Sequence, residues 1–234
     1  MKTVLVTGAN RGIGYATAIA FRDEGYRVLG TARQSEDRMR LRDQGIEAYE
    51  LEMTKIDSIE SLYQQLKSDN LLPDILINNA GVAHLSPLAK TCLQDFDETL
   101  SVNLRAAFFL TQKFVGHMSC QQYGRIVSVS SILSSLPQKG FASYAAAKAG
   151  LEAFSRVTAL EYAHKGVTVN CIAAGFVDTD MIKGLANAEQ LKSQIPTRSV
   201  ASPEEIAQSI LMLTNQANIT GEVIQTNGGL LMKP

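Results

Sequence analysis

Apolar residues gather in short, β-branched runs that recur along the whole chain, at Thr3–Thr7, Arg27–Thr31, Glu47–Leu51, Ile75–Asn78, Arg125–Ser130, Thr168–Ala173 and Gly221–Gln225. Most of these runs do not alternate apolar with polar residues, which is the pattern of strands covered on both faces of a parallel sheet. Between them lie longer stretches of helical spacing, near Ile13–Asp23, Ser58–Leu66, Leu93–Gly116, Ser143–His164 and Pro203–Thr214. Strand and helix in alternation predict an α/β fold. Right-handed crossovers then make it a doubly wound Rossmann sheet with helices on both faces. No repeat, low-complexity tract or Pro/Gly/Ser-rich linker breaks the pattern, and 234 residues suit a single domain over 1–234.

Composition leaves this picture in place. Hydrophobic residues make up 45% and charged residues 19%, ordinary globular values, and the net charge is -1. No broad electrostatic pull toward nucleic acid or an anionic membrane is expected from that balance. Cys92, Cys120 and Cys171 are an odd count without CxxC spacing, so they read as reduced thiols and not as a metal site or disulfide frame. No apolar stretch approaches the ~20 residues of a membrane span, and the apolar run after Met1-Lys2 is too short for a signal peptide. A soluble, cytoplasmic protein is expected.

Chemistry enters at the strand ends. After the first strand comes Thr7-Gly8-Ala9-Asn10-Arg11-Gly12-Ile13-Gly14, then a helix. Glycines permit a tight turn and close approach of backbone to a pyrophosphate, and a helix N-terminus offers free N–H groups to it. The spacing is Gly-x3-Gly-x-Gly, unlike the more common GxGxxG. At the end of the second strand stands Thr31-Ala32-Arg33, with no acid to bond the adenosine ribose of NAD. Arg33, with Arg11 of the glycine loop, is placed to clamp the 2'-phosphate of NADP(H) instead.

A second constellation lies further on. Tyr144 and Lys148 are four residues apart in a helical stretch and so share one face, and Ser131 lies thirteen residues before Tyr144. A free phenol titrates near ~10, too high for ready proton shuttling at neutral pH, and a neighbouring ammonium is expected to lower it. Ser131 adds a hydroxyl donor for a carbonyl oxygen. Gly8, Asn78, Ser130-Ser131 and Ala174-Gly175 all follow strand ends. The predicted sheet therefore gathers them along one rim, where ligands of such folds bind.

With these pieces in hand, the chain resembles the short-chain dehydrogenase/reductases from Lys2 to about Gly229. Thr7–Gly14 is similar to that family's TGxxxGIG, Asn78-Asn79-Ala80-Gly81 to its NNAG, and Ser131, Tyr144 and Lys148 to its catalytic Ser and YxxxK. Asn103, in Ser101-Val102-Asn103, falls at its fourth catalytic position. The resemblance implies a seven-stranded parallel sheet and a homotetramer or homodimer joined through the long helices. It implies hydride transfer between a nicotinamide and a substrate carbonyl, with Ser131 holding the oxygen and Tyr144 giving the proton. Lys148 would bind the nicotinamide ribose and depress the Tyr144 pKa, and Asn103 would kink its helix and hold a water. Glu52 and Met53 would lie beside the adenine, Asn79, Ala80 and Gly81 along the cofactor, and Gly175, Val177 and Thr179 by the carboxamide.

The subgroup it most resembles is the 3-oxoacyl-acyl-carrier-protein reductases, through Ser143–Gly150, Gly166–Ala173, Phe176–Met181 and Ile219–Gly229. That implies NADPH-dependent reduction of carrier-bound 3-oxoacyl thioesters in fatty-acid or polyketide-like synthesis, with an acyl-carrier protein as partner. Several positions depart from the pattern. Ala174-Gly175 stands where Pro-Gly is usual, predicting a slightly looser loop. Of two places where a basic residue would meet an acidic carrier, one holds Lys165 and the other Gln122-Tyr123. Phe141 takes a position often polar, as an aromatic wall of the substrate site or a local core residue. Lys183–Ile195 is expected to form a flap over the substrate. The alternatives are a dehydrogenase of a free secondary alcohol or ketone and a non-catalytic nucleotide-binding sensor, which would not need all four of Asn103, Ser131, Tyr144 and Lys148.

Overall fold

The computed structural model describes residues 1–180 and 192–232. Seven parallel strands form one sheet in the order β3-β2-β1-β4-β5-β6-β7. They are β1 (Thr3–Val6), β2 (Arg27–Ala32), β3 (Glu47–Glu50), β4 (Ile75–Asn78), β5 (Gly124–Ser131), β6 (Val167–Ala174) and β7 (Val223–Thr226). Each matches an expected strand with ends shifted by a residue or two. The order reverses between β1 and β4, the crevice where a doubly wound sheet takes its ligand.

Side chains of successive strand residues point to opposite faces, so an unbroken apolar run feeds two cores. Val4 and Val6, Ile75 and Ile77, and Val127 and Val129 pack with Phe21, Ile206 and Ile210 on one face. Leu5, Leu76 and Ile126 pack with Leu62, Leu110 and Phe114 on the other. The first face is covered by α1 (Gly12–Asp23), α2 (Ser35–Asp43) and α7 (Pro203–Thr214), the second by α3 (Ile56–Ser68), α5 (Ala106–Cys120) and α6 (Ala142–Tyr162). Helix α2 was not expected from the sequence. Its residues SEDRMRLRD bury Leu41 alone, so there is no apolar stripe to announce it.

The long helix expected over Leu93–Gly116 is three pieces: α4 (Leu93–Leu100), a π-helical turn over Ser101–Arg105, and α5. The interruption has a local cause. Asn103 Nδ2 donates to Thr99 O at 2.9 Å, occupying the carbonyl that an unbroken α-helix would give to the Asn103 backbone N–H. Such π-turns concentrate at functional sites.

The two helices flanking the crevice begin differently. Helix α7 opens with a full capping box, Ser202 and Glu205 satisfying each other's backbone N–H groups, and Pro203 at its first turn. Helix α1 opens at Arg11 with no side-chain cap. It follows the glycine loop directly, so its first N–H groups open toward the crevice, the arrangement of an anion site at a helix N-terminus.

Candidate active site

A cleft of about 930 Å³ runs along the carboxyl ends of the strands from the glycine loop to the start of α6. Gly8, Asn10, Arg11, Gly12 and Ile13 line one end. Arg33 stands beyond the end of β2, Glu52 and Met53 beyond the end of β3, and Asn79, Ala80 and Gly81 beyond the end of β4 along the floor. Ser131, Phe141, Tyr144, Lys148, Gly175, Val177 and Thr179 line the other end. Gly14, expected beside the cofactor with the rest of the glycine loop, stands behind that lining. A Cβ on Gly14 would stand 2.2 Å from Gly8 O and 2.3 Å from Asn79 Nδ2, so this glycine is required for packing α1 against the loop.

Asn79 braces that loop from beneath. Its Nδ2 donates to Thr7 O at 2.9 Å and Gly8 O at 3.2 Å, while Thr7 Oγ1 accepts the N–H groups of Asn79 and Ala80. Asn78 faces the other way, donating to Thr111 on α5 and Ser128 on β5. The two halves of the NNAG segment therefore do different things, one supporting the sheet and one the loop.

Beyond β2, Arg33 leans toward Glu52 at 4.0 Å and is 60% exposed. Arg11 lies 3.8 Å from Asp180 and is also exposed. Ion pairs this loose and wet contribute at most about 1 kcal/mol, too little to hold either guanidinium against a phosphate. Asp37, in the unexpected helix α2, also lines the cleft, where it accepts from Asn10 Nδ2 at 2.8 Å and pairs with Arg40. Asp37 gives no signal in the sequence because α2, which buries Leu41 alone, gives none.

At the far end, β5 delivers Ser131 and the first turns of α6 deliver Tyr144 and Lys148. Burial pushes the Tyr144 phenol up to about 12, with a hydrogen bond from Ser131 acting in the other direction. The expected depression by Lys148 is absent. Lys148 Nζ donates to Val129 O at 2.7 Å and lies 5.5 Å from the centre of the Tyr144 ring. Burial takes Lys148 itself down to about 8, opposed by Cys171 and Glu152. Both effects have one physical origin, the cost of a charge in a dry site.

Asn103 lies behind the cleft rather than on its wall, 1% exposed. Its Nδ2 also donates to Val82 O at 2.8 Å, while its Oδ1 is buried without a hydrogen-bond partner. A Cβ on Gly81 would meet that oxygen at 2.8 Å and lie 3.7 Å from Lys148 Nζ. An amide oxygen this buried and unpaired beside an ammonium is suited to a water. Phe141 is 6% exposed and packs edge-on to Tyr144 with ring centres 6.2 Å apart, so it is at once core and cleft wall.

Ala174 is the last residue of β6, in register with Ser131 on one side and Thr226 on the other. The ladder therefore fixes the backbone where a proline ring would have done so. Beyond it Gly175 N donates to Thr226 O at 3.0 Å, and the following chain is held by Asp178 N to Ala201 O. Thr179 Cγ2 comes within 3.2 Å of where a Gly12 Cβ would be, so the two ends of the cleft are drawn close. The expected flap, Lys183–Ile195, lies outside the described residues except for its last four.

The cleft fits a nicotinamide dinucleotide: an uncapped helix start behind a glycine loop, then an elongated floor, then a dry end with a hydroxyl, a phenol and an ammonium. A doubly wound sheet so furnished is a nucleotide-binding enzyme fold. Comparison with known proteins agrees, since residues 2–190 match the short chain dehydrogenase family. The chain is 34% identical over 238 residues to a 3-oxoacyl-[acyl-carrier-protein] reductase of Escherichia coli K12, covering 99% of this chain and 98% of that one. It is 36% identical over 239 residues to the protein of that name from Vibrio cholerae, with the same coverage. A solved structure of a short chain dehydrogenase/reductase family protein superposes with a TM-score of 0.92 at 29% identity, covering 99% of this chain and 98% of that one. This chain belongs to the short-chain dehydrogenase family of oxidoreductases.

Proposed function

We propose that this protein is an NADPH-dependent reductase of 3-oxoacyl thioesters carried on an acyl-carrier protein. The observation that carries the proposal is the meeting of Ser131, Tyr144 and Lys148 at the dry end of a dinucleotide-sized cleft. It is joined to 34% and 36% identity with two proteins bearing that activity in their names.

The nicotinamide, when bound, supplies the hydride. Ser131 Oγ holds the substrate carbonyl oxygen and stabilises the charge that develops on it. Tyr144 gives its phenolic proton to that oxygen. Burial keeps that phenol protonated at neutral pH, the state in which it can donate. Lys148, whose Nζ is held by Val129 O, takes the nicotinamide ribose, and the Asn103 pocket holds the water through which the proton is replaced. Phe141 forms an apolar wall beside Tyr144, suited to an acyl chain.

Arg33 and Arg11 favour NADPH, while Asp37 is already engaged by Asn10 and Arg40 and so is not free to take the ribose. Arg33→Ala is expected to weaken NADPH binding at least about tenfold, the worth of a charge-assisted bond, and to leave NADH unaffected. Fluorescence titration with both cofactors checks it, and equal weakening of the two would remove Arg33 from phosphate recognition.

A second reading, a free ketone as substrate, is favoured by one observation. Tyr123 directly precedes β5 and Lys165 closely precedes β6, so both places where a carrier would need a basic residue lie at the amino ends of the strands, across the sheet from the cleft. Lys165 remains exposed beside Tyr162. The deciding assay follows NADPH oxidation with an acetoacetyl thioester, first on a small thiol and then on acyl-carrier protein. Strong preference for the carrier form is expected; turnover of free ketones in place of both thioesters would move the assignment to the second reading.

Assembly into a homodimer or homotetramer belongs to the same proposal. Phe108, Val157 and Leu160 are 46%, 56% and 84% exposed on α5 and α6, the apolar face a second copy would cover. No helix among the described residues is long and apolar enough to cross a membrane.

A further inference from the structure

The helix that carries Tyr144 and Lys148 carries a third buried functional group, Glu152, one turn further on. At spacings of four residues the three side chains share a face, and they meet the end of β5 as a ladder. Tyr144 comes up to Ser131, Lys148 Nζ donates to Val129 O at 2.7 Å, and Ser130 Oγ donates to Glu152 Oε1 at 2.6 Å. Glu152 is 6% exposed, and a carboxylate so far from water is stable only when partnered. Its other oxygen lies 3.6 Å from Arg156 Nη2, whose side chain is 54% exposed. The carboxylate is thus neutralised from the solvent side, while its buried side faces Lys148 and Cys171.

We propose that Glu152 is a positioning residue of this active site: through Ser130 it fixes the strand end that bears Ser131, and its carboxylate keeps Lys148 an ammonium. The proposal rests on the reading of Tyr144 and Lys148 given above. The charged and titratable groups facing Lys148 are Tyr144 and Glu152 on α6 and Cys171 on β6, with Arg156 behind Glu152. The facing end of β5 offers hydroxyls and a carbonyl, and the π-turn offers the Asn103 amide. Burial pushes the Cys171 thiol up to about 11, so it is uncharged where Lys148 titrates. Glu152 is then the buried anion that opposes the loss of the Lys148 proton.

Three variants test this, each assayed for the pH dependence of kcat/KM and, independently of turnover, of NADPH affinity. Glu152→Gln keeps the hydrogen bond from Ser130 and removes the charge. Its alkaline limb is expected to move to lower pH by at least about half a unit, with kcat near native at pH 6 and at least about twofold down at pH 8. Arg156→Gln, at a largely exposed position, leaves Glu152 less neutralised and is expected to move the limb to higher pH. Ser130→Ala is expected to lower kcat with the limb in place, separating geometry from charge. A limb unmoved in Glu152→Gln overturns the proposal; should that variant fail to fold, a limb unmoved in Arg156→Gln does so. Tyr144→Phe in the same assay keeps the two levels apart. If it turns over normally, the reading of the site fails; if it is inactive while the limbs stay put, the role of Glu152 alone fails.

Discussion

Replacing Tyr144 by phenylalanine is expected to lower turnover by at least about two powers of ten while leaving the fold and NADPH binding intact. The argument rests on what the hydroxyl touches and what the ring touches. The ring packs edge-on against Phe141 and is 8% exposed, and phenylalanine keeps that packing whole. The hydroxyl meets Ser131 and a dry site that holds it neutral, with its pKa pushed up to about 12. Removing it takes away the proton donor and little else, because Ser131 keeps a second partner, accepting from Leu133 N at 3.2 Å. Steady-state kinetics with an acetoacetyl thioester, alongside a thermal melt and an NADPH titration, gives the answer. Near-native turnover in a folded, cofactor-binding variant would sink the assignment of Tyr144 as the acid.

The second large effect belongs to a residue that never touches the cleft. Gly14→Ala is expected to cost about 1–3 kcal/mol of stability, the usual range for overpacking, and to weaken NADPH binding at least about tenfold. The new methyl would fall 2.2 Å from Gly8 O and 2.3 Å from Asn79 Nδ2, and neither is the free end of a flexible chain. One is backbone of the glycine loop and the other is the amide that braces it. Relief requires the loop to lift from α1, which moves its N–H groups off the phosphate. Gly116→Ala is the control. It too is a helical glycine, but its Cβ would meet nothing within 4 Å, and stability there should rise by about 0.5–1 kcal/mol. Native melting temperature and native affinity in Gly14→Ala would show the loop to be softer than its packing implies.

Much of the architecture could be read from the residues because parallel strands announce themselves. Val4-Leu5-Val6 and Ile75-Leu76-Ile77 are apolar without interruption and rich in β-branched residues, the run a sheet covered on both faces uses. Helix α2 stayed hidden for the converse reason: a helix that buries one leucine leaves no period to find, and Asp37 was lost with it. The site was legible where spacing encodes geometry, as at Tyr144 and Lys148. It was not legible where burial decides. Glu152 and Arg156 look in sequence like an ordinary exposed i,i+4 pair, yet one is 8% and the other 54% exposed at the side chain. The direction of the Tyr144 shift failed for the same reason, since a neighbouring ammonium was expected to prevail and burial prevails instead.

Thr7 and Asn79 are 72 residues apart, and each bonds the backbone beside the other. The first strand, its glycine turn and its helix are contiguous, so one would suppose that this opening segment shapes its nucleotide pocket by itself. It does not, because the strut beneath the turn arrives with β4. During synthesis the opening segment emerges well before that strut exists, and closing so long a chain loop is a slow, non-local event. The cofactor therefore has no finished pocket to bind in a half-made chain, and cannot act as a template for the early stages of folding. Its stabilising effect is reserved for chains that have already paired β1 with β4.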